Sequence, residues 1–118
     1  MNKFHAKTVV VDGIRFHSQD EANRWAELKL YERAGIIHNL DRQVPFNIVP
    51  ECKNLNGKIE KPRKYIADFV YWKGPLRVVE DVKGCRKGMA YQMFKLKKDL
   101  MRYWYGIEVR EVKSGDSV

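Results

Sequence analysis

Two strand-like segments joined by a short turn constrain the fold of this chain more than any other feature. Residues 64–72 and 77–83 are rich in β-branched and aromatic side chains, which is typical of strands. The Lys-Gly-Pro sequence between them, at residues 73–75, favours a tight turn. These segments therefore predict two neighbouring antiparallel strands.

Turn and helix signals divide the rest of the sequence. Asp12-Gly13 favours the positive φ angles of a type I′ hairpin turn. Ser18 is a good helix N-cap, and Gly35 and Gly106 each follow a segment with apolar residues at helical spacing. In chain order, the predicted elements are a hairpin at 8–17, a helix at 18–34, a strand at 43–50, the strands at 64–72 and 77–83, a helix at 89–105 and an edge strand at 107–112.

This order predicts an α/β chain of the mixed α+β class. We expect a central mixed sheet that contains a three-strand meander and is flanked by two helices, because both faces of the sheet then bury their apolar side chains. The 118 residues favour one domain, at residues 1–112, followed by a disordered tail at 113–118.

Composition excludes several classes of protein. Hydrophobic residues make up 44% and charged residues 32% of the chain, as in ordinary globular proteins. No apolar run is long enough to span a bilayer, and no signal peptide opens the sequence, so we expect a cytoplasmic protein without membrane contact. Cys52 and Cys85 stand in no metal-binding pattern, which predicts free thiols.

The net charge favours a polyanionic partner. Lys and Arg number 23 against 15 Asp and Glu, which gives a formal charge of +8 and a pI of about 9.6. Nucleic acid is the usual physical reason for such an excess. Charge alone does not establish catalysis, and a basic protein-interaction module is a further alternative.

Asp68 stands in the middle of an apolar strand. Strict period-two alternation predicts that Asp68 shares a face with Val70, while Tyr65 and Phe69 lie on the other face. An unpaired buried carboxylate costs several kcal/mol, so Asp68 needs a partner. A salt bridge or turn hydrogen bond would meet that need, and so would a metal ion.

Asp81 and Lys83 share one face of the next strand, and Glu80 points the opposite way. The turn brings Asp68 and Asp81 together, and such a pair of carboxylates attracts a hard cation such as Mg²⁺, with the Val82 carbonyl as a further ligand. Lys83 would then orient or deprotonate the attacking water. The alternative is an exposed charge pair at a strand end, because the D-x-K tripeptide is common.

The segment YIADFVYWKGPLRVVEDVKG at residues 65–84 resembles motifs II and III of the PD-(D/E)XK nuclease superfamily, which includes Holliday junction resolvases. The pattern F-x-S-x-x-E at residues 16–21, this hairpin and the later basic helix are together similar to a family of small uncharacterised phage and prophage proteins assigned to that superfamily. Ala67 stands where the motif name has proline, a position that binds no metal.

The resemblance implies a restriction-endonuclease-like core and a metal site. It implies that Asp68 and Asp81 bind metal and that Lys83 acts in water activation. It also points to Glu21 as a further catalytic and metal-binding residue. Ser18-x-x-Glu21 is equally a capping box, in which Glu21 bonds back to the helix N-terminus and needs no metal, so both roles stay open.

Basic residues around the predicted site are candidates for phosphate contacts. The bland alternative is a solvated charged face, and in the superfamily a Gln or Lys on the second helix sometimes completes the site. Aromatic side chains, Trp104 and Tyr105 among them, either stack on unpaired bases or pack in the core, and core packing is the stronger expectation. The candidate nucleic-acid-binding residues are Lys64, Arg86, Lys87, Gln92, Lys95, Lys97 and Lys98.

The sequence thus predicts a Mg²⁺-dependent endonuclease that cuts DNA phosphodiesters, with Mn²⁺ able to substitute. The resemblance implies duplex or branched DNA as partner, a structure-specific, Holliday junction resolvase-like activity, a role in phage DNA recombination, replication or packaging, and a homodimer. A non-catalytic nucleic-acid-binding protein and an RNA-directed nuclease are the alternatives.

Overall fold

The computed structural model describes residues 8–118 of the chain. The first seven residues of the domain expected at 1–112 lie outside the described residues. The elements of the described part are β1 (Val9–Val11), β2 (Ile14–Phe16), α1 (Gln19–Arg33), β3 (His38–Val49), β4 (Cys52–Lys53), β5 (Ile59–Glu60), β6 (Arg63–Lys73), β7 (Leu76–Val82), α2 (Gly88–Tyr105) and β8 (Arg110–Val112).

The central sheet has four strands in the order β3-β6-β7-β8. β3, β6 and β7 pair antiparallel, and β8 pairs parallel to β7 at the edge. α1 packs on one face of the sheet and α2 on the other, each over its own apolar core. The mixed α+β class, the three-strand meander and the flanking helices are therefore confirmed.

Local signals define the element ends as the sequence predicts. Asp12 and Gly13 have φ angles of 52° and 77°, so the β1–β2 turn is type I′. The Ser18 side chain accepts a hydrogen bond from the Glu21 amide, which starts α1. Gly106, with φ 65°, ends α2 in the left-handed conformation. β3 begins five residues earlier than the predicted strand, at His38.

Strict alternation along β6 is wrong at Asp68. Tyr65 and Val70 both pack in the core beneath α2, although alternation places them on opposite faces, and Phe69 packs beneath α1. Opposite Asp68 in the β3–β6 register lies Gln43, whose φ of 53° is left-handed. Such an irregularity re-aims the side chains that follow it, and hydrophobicity does not reveal it because both faces of β6 are buried.

A buried ion pair joins α1 to β7. The Arg24 guanidinium donates two hydrogen bonds to the Glu80 carboxylate, at 2.8 and 2.6 Å, and both side chains are fully buried. The Tyr71 hydroxyl donates to the same carboxylate, and Arg110 lies 3.5 Å from it. The pair therefore holds the Glu80 side chain on the α1 side of the sheet. Asp81, the next residue, points to the other side.

Residues 113–118, for which the sequence predicts a disordered tail, contact α1 and the core beneath it. Arg24 donates to the carbonyl oxygens of Asp116 and Ser117, and the Gly115 amide donates to Glu27 at 3.0 Å. Val118 packs against the core beneath α1. The buried Arg24 guanidinium has five N–H donors, and Glu80 can accept only some of them. The carbonyl oxygens of the tail accept others, and these hydrogen bonds hold the tail against α1.

No helix in the described part of the chain combines the length and the apolar character needed to cross a membrane.

We predict that Arg24→Met is strongly destabilising. It leaves the Glu80 carboxylate buried without its partner, so the free energy of unfolding should fall by about 3–5 kcal/mol. The matched control is Arg102→Met, since Arg102 forms ion pairs on the surface and its loss should have little effect. Urea unfolding followed by circular dichroism measures both, and equal losses would contradict the prediction.

Candidate active site

The candidate site lies where β6 and β7 separate. Their ladder ends at the pair Phe69–Glu80, and beyond it the Val82 amide donates to the Asp68 carboxylate at 2.9 Å instead of to a backbone carbonyl. Asp81 and Val82 pair with β8. The Asp68 carboxylate thus accepts the hydrogen bond that a backbone carbonyl of a paired strand would otherwise accept, at the point where β6 and β7 separate.

Asp81 is held on both oxygens. The Tyr65 hydroxyl donates to Asp81 Oδ2 at 2.6 Å, and Lys83 Nζ lies 2.8 Å from Asp81 Oδ1. The Lys83 ammonium also lies 3.8 Å from the centre of the Phe94 ring, a cation–π contact. The prediction that Asp81 and Lys83 share a face is therefore confirmed.

Glu21 caps α1 and also faces Asp68. Its Oε1 accepts a hydrogen bond from the His17 amide at 3.0 Å, one residue before the N-cap Ser18, so the capping differs from the predicted box by one position. The Glu21 carboxyl also interacts with the Asp68 carboxyl and helps to raise the pKa of Asp68. The two roles weighed from the sequence are compatible in the structure.

The two aspartates resist ionisation. Burial is the main cause that raises the pKa of Asp68 to about 6, with Glu21 adding to it and the Val82 amide opposing it. Burial also raises the pKa of Asp81 to about 6, followed by the charge of Asp68, while Lys83 and Tyr65 oppose the shift. A cation bound beside the two carboxylates would favour their ionised forms and lower the pKa of both.

Asp68, Asp81 and Lys83 open into a cleft of about 340 Å³, here called the carboxylate cleft. Lys64 from the start of β6 and Lys97 from α2 also line it, so two of the predicted phosphate contacts lie beside the carboxylates. The other lining residues are Tyr65, Ile66, Ala90, Met93 and Phe94.

Two predicted residues on α2 point away from this cleft. Gln92 and Lys95 are exposed and are absent from the lining of the cleft. At about 100° per residue they lie roughly 140–200° around the helix from Ala90. Gln92 and Lys95, the sequence candidates for a residue of α2 that completes the site, therefore lie outside the carboxylate cleft, because helical spacing sends Lys97 and not these side chains toward the sheet.

Three further basic residues lie outside the carboxylate cleft, and two of them pair with Glu111 of β8. Lys98 Nζ lies 2.9 Å from Glu111, and Arg86 Nε lies 3.4 Å from it, so both charges are already partnered on the β8 side of α2. Lys87 is the exposed N-cap of α2. Their predicted role in phosphate binding is not supported by a position in the carboxylate cleft.

The sequence did not reveal the residues that support the site. Tyr65 was expected only to stack or to pack, yet it binds Asp81, and Phe94 packs beneath Lys83. Their positions follow from the face change at Asp68 and from the docking of α2. A signal for Tyr65 was its hydroxyl, since a buried tyrosine needs a polar partner.

The donor set of Asp68 and Asp81 fits a hard divalent cation. An ionised carboxylate has about four acceptor sites, so the hydrogen bonds seen here leave positions for a metal. Mg²⁺ binds through one or two carboxylates and keeps several waters. Within residues 8–118, no three or more His, Cys, Asp and Glu side chains are grouped to hold an ion by themselves, so main-chain, water or substrate oxygens must complete the shell.

Comparison with known proteins gives one family. Residues 1–115 match the model of the family described as "Protein of unknown function (DUF1064)". The searches of curated proteins and of solved structures gave no match.

We predict that Asp68→Asn changes how stability depends on pH in metal-free buffer. An aspartate with a raised pKa opposes folding once it ionises, so wild-type stability falls as pH rises from about 4 to about 6. Asp68→Asn removes one such group. At pH 7 the free energy of unfolding of the variant should therefore exceed that of wild type by about 1–3 kcal/mol, and at pH 4 it should not exceed it. Urea unfolding at both pH values measures this difference, and an equal difference at the two pH values would contradict it.

Proposed function

This chain belongs to the DUF1064 family, and we propose that it is a divalent-metal-dependent endonuclease that hydrolyses DNA phosphodiester bonds. The observation that carries the proposal is the convergence of Asp68, Asp81 and Lys83 at the open end of the β6–β7 pair. The resemblance of residues 65–84 to motifs II and III of the PD-(D/E)XK nucleases supports the same activity.

Asp68 and Asp81 are the residues that hold Mg²⁺ or Mn²⁺ in this proposal. The pKa of each is raised to about 6, mainly by burial, and a cation favours their ionised forms. Glu21 is a third ligand candidate, since its carboxyl interacts with Asp68, and the Val82 carbonyl is a fourth.

The chain's own residues position the reactants. A bound divalent cation supplies a Lewis acid for the phosphoryl oxygens. The Lys83 ammonium, 2.8 Å from Asp81 and packed on the Phe94 ring, is held where it can orient the attacking water. The Tyr65 hydroxyl fixes the rotation of the Asp81 carboxylate by binding its other oxygen.

DNA is the proposed substrate because of the charge around the site. Lys64 and Lys97 line the carboxylate cleft, where they can hold phosphates on either side of the scissile one. The family resemblance adds branched DNA, a homodimer with two symmetrical cuts and a phage role in recombination, replication or packaging. A cytoplasmic location belongs to the same proposal.

A non-catalytic nucleic-acid-binding protein is the second candidate. It is favoured by the formal charge of +8, which attracts a polyanion whether or not the carboxylates hold a metal. RNA cleavage would use the same residues, and assaying both nucleic acids distinguishes the two substrates.

We predict that the purified protein cuts labelled branched or linear DNA in Mg²⁺ or Mn²⁺ and not in EDTA. Asp81→Asn should lower the cleavage rate by at least about a hundredfold, because it removes a metal ligand and charge from the site, while DNA binding in EDTA stays near wild type. Asp99→Asn is the matched control, since Asp99 is exposed on α2.

The nuclease proposal fails if neither DNA nor RNA is cut with either metal. It also fails if Asp81→Asn cuts as fast as wild type, because the activity would then come from a contaminant.

We predict that Lys97→Ala and Lys95→Ala differ in DNA binding. Lys97 lines the carboxylate cleft and Lys95 faces away from it, although both are lysines of the same helix. Loss of one phosphate contact should lower the slope of log K against log salt by about 1 for Lys97→Ala and leave it unchanged for Lys95→Ala. Fluorescence anisotropy in EDTA measures both slopes, and equal slopes for the two variants would refute the assignment of Lys97.

A further inference from the structure

A second cavity lies at the C-terminal end of α2, away from the carboxylates. Its volume is about 440 Å³, and Trp104 and Tyr105 are the aromatic residues that line it. The remaining lining residues are Asn47, Pro50, Glu51 and Pro62. We call this cavity the aromatic pocket.

Both rings of the aromatic pocket are fixed by their polar ends. The Trp104 indole N–H donates to the Ile48 carbonyl at 2.7 Å, and the Tyr105 hydroxyl donates to the Asn47 carbonyl at 2.8 Å. Even so, Trp104 is 50% exposed and Tyr105 45%. Core packing was the stronger expectation for these residues, yet the structure holds them in place with much of their ring surface open.

Two exposed basic residues flank the pocket in the sequence, although neither of them lines it. Lys61 and Arg63 flank Pro62 in the sequence and are exposed, against one acid in the lining, Glu51. A nucleic acid combines an aromatic base, which stacks on such rings, with a phosphate backbone for such charges.

The aromatic pocket also lies close to the carboxylate cleft. Lys97 lines the cleft and Trp104 lines the pocket, and at 1.5 Å per residue they are about 10 Å apart along α2. Pro62 lines the pocket and Lys64 the cleft, about 7 Å apart along the extended chain. At roughly 3.4 Å per nucleotide, one strand could reach both sites within about three nucleotides.

We propose that the aromatic pocket binds an unpaired nucleobase of the same strand that enters the carboxylate cleft, about three nucleotides from it. The base stacks on Trp104 and Tyr105, while Lys61 and Arg63 hold the adjoining phosphates. The substrate class is therefore DNA with a single-stranded segment beside the cut. Cleavage beside the single-stranded segment rests on the proposed nuclease function, whereas binding of the base does not.

The test compares Trp104→Ala with Tyr103→Ala by fluorescence anisotropy in EDTA, using a labelled oligothymidine and a blunt duplex. Tyr103 is the control because it is 77% exposed and does not line the pocket, although its ring contacts the edge of the Trp104 ring. Trp104→Ala should weaken oligothymidine binding about tenfold and leave duplex binding unchanged. Tyr103→Ala should change neither, and Trp104→Phe, which keeps an aromatic face, should restore most of the affinity.

Melting curves of each variant show whether it is folded, so that a loss specific to single strands is not mistaken for unfolding. The proposal is overturned if Trp104→Ala binds oligothymidine as wild type does, or if it loses duplex affinity equally. It is also overturned if a proline-rich peptide, which aromatic grooves can bind, occupies the pocket and oligothymidine does not compete.

The same variants separate this proposal from the nuclease proposal. If Trp104→Ala cuts a flapped DNA but binds oligothymidine as wild type does, the pocket assignment fails and the nuclease stands. If no DNA is cut but oligothymidine binding depends on Trp104, the nuclease fails and the pocket assignment stands.

Discussion

The buried ion pair between Arg24 and Glu80 is the interaction on which the rest of the structure depends. It joins α1 to β7 with two hydrogen bonds and fixes the face of the sheet that Glu80 occupies. Asp81, the next residue, must then point to the other face. Because Glu21 lies about one helical turn before Arg24, the same pair brings the Glu21 carboxyl to Asp68. A buried pair of this kind gives little net stability but is costly to break, so it specifies the arrangement more than it strengthens the fold.

The candidate site occupies a place where the sheet departs from regular pairing. At Asp68 the side chains of β6 change faces opposite the left-handed Gln43, and the β6–β7 ladder ends at the neighbouring residue, Phe69. The carboxylates of Asp68 and Asp81 are therefore crowded and poorly solvated, and the pKa of each is raised to about 6. Such groups lower stability when ionised and are characteristic of functional sites.

α2 connects two chemically different surfaces. Phe94 and Lys97, in its middle, line the carboxylate cleft, and Trp104, in its last turn, lines the aromatic pocket. Its outer residues, such as Lys95, face solvent. Charge on this helix thus has different consequences at positions only two residues apart, because each residue turns the side chain by about 100°.

The sequence by itself determined the features that depend on neighbouring residues. Turn residues and caps predicted both helices and the first hairpin, and alternation predicted that Asp81 and Lys83 share a face, since period and capping are local. Only the tertiary structure decided the partner of Arg24, the face change at Asp68, the contacts of the tail at 113–118 and the choice of Lys97 over Lys95. These features depend on contacts between segments that are distant in the sequence. Along β6, both faces are buried, so polar and apolar positions do not alternate in a way that would reveal the face change.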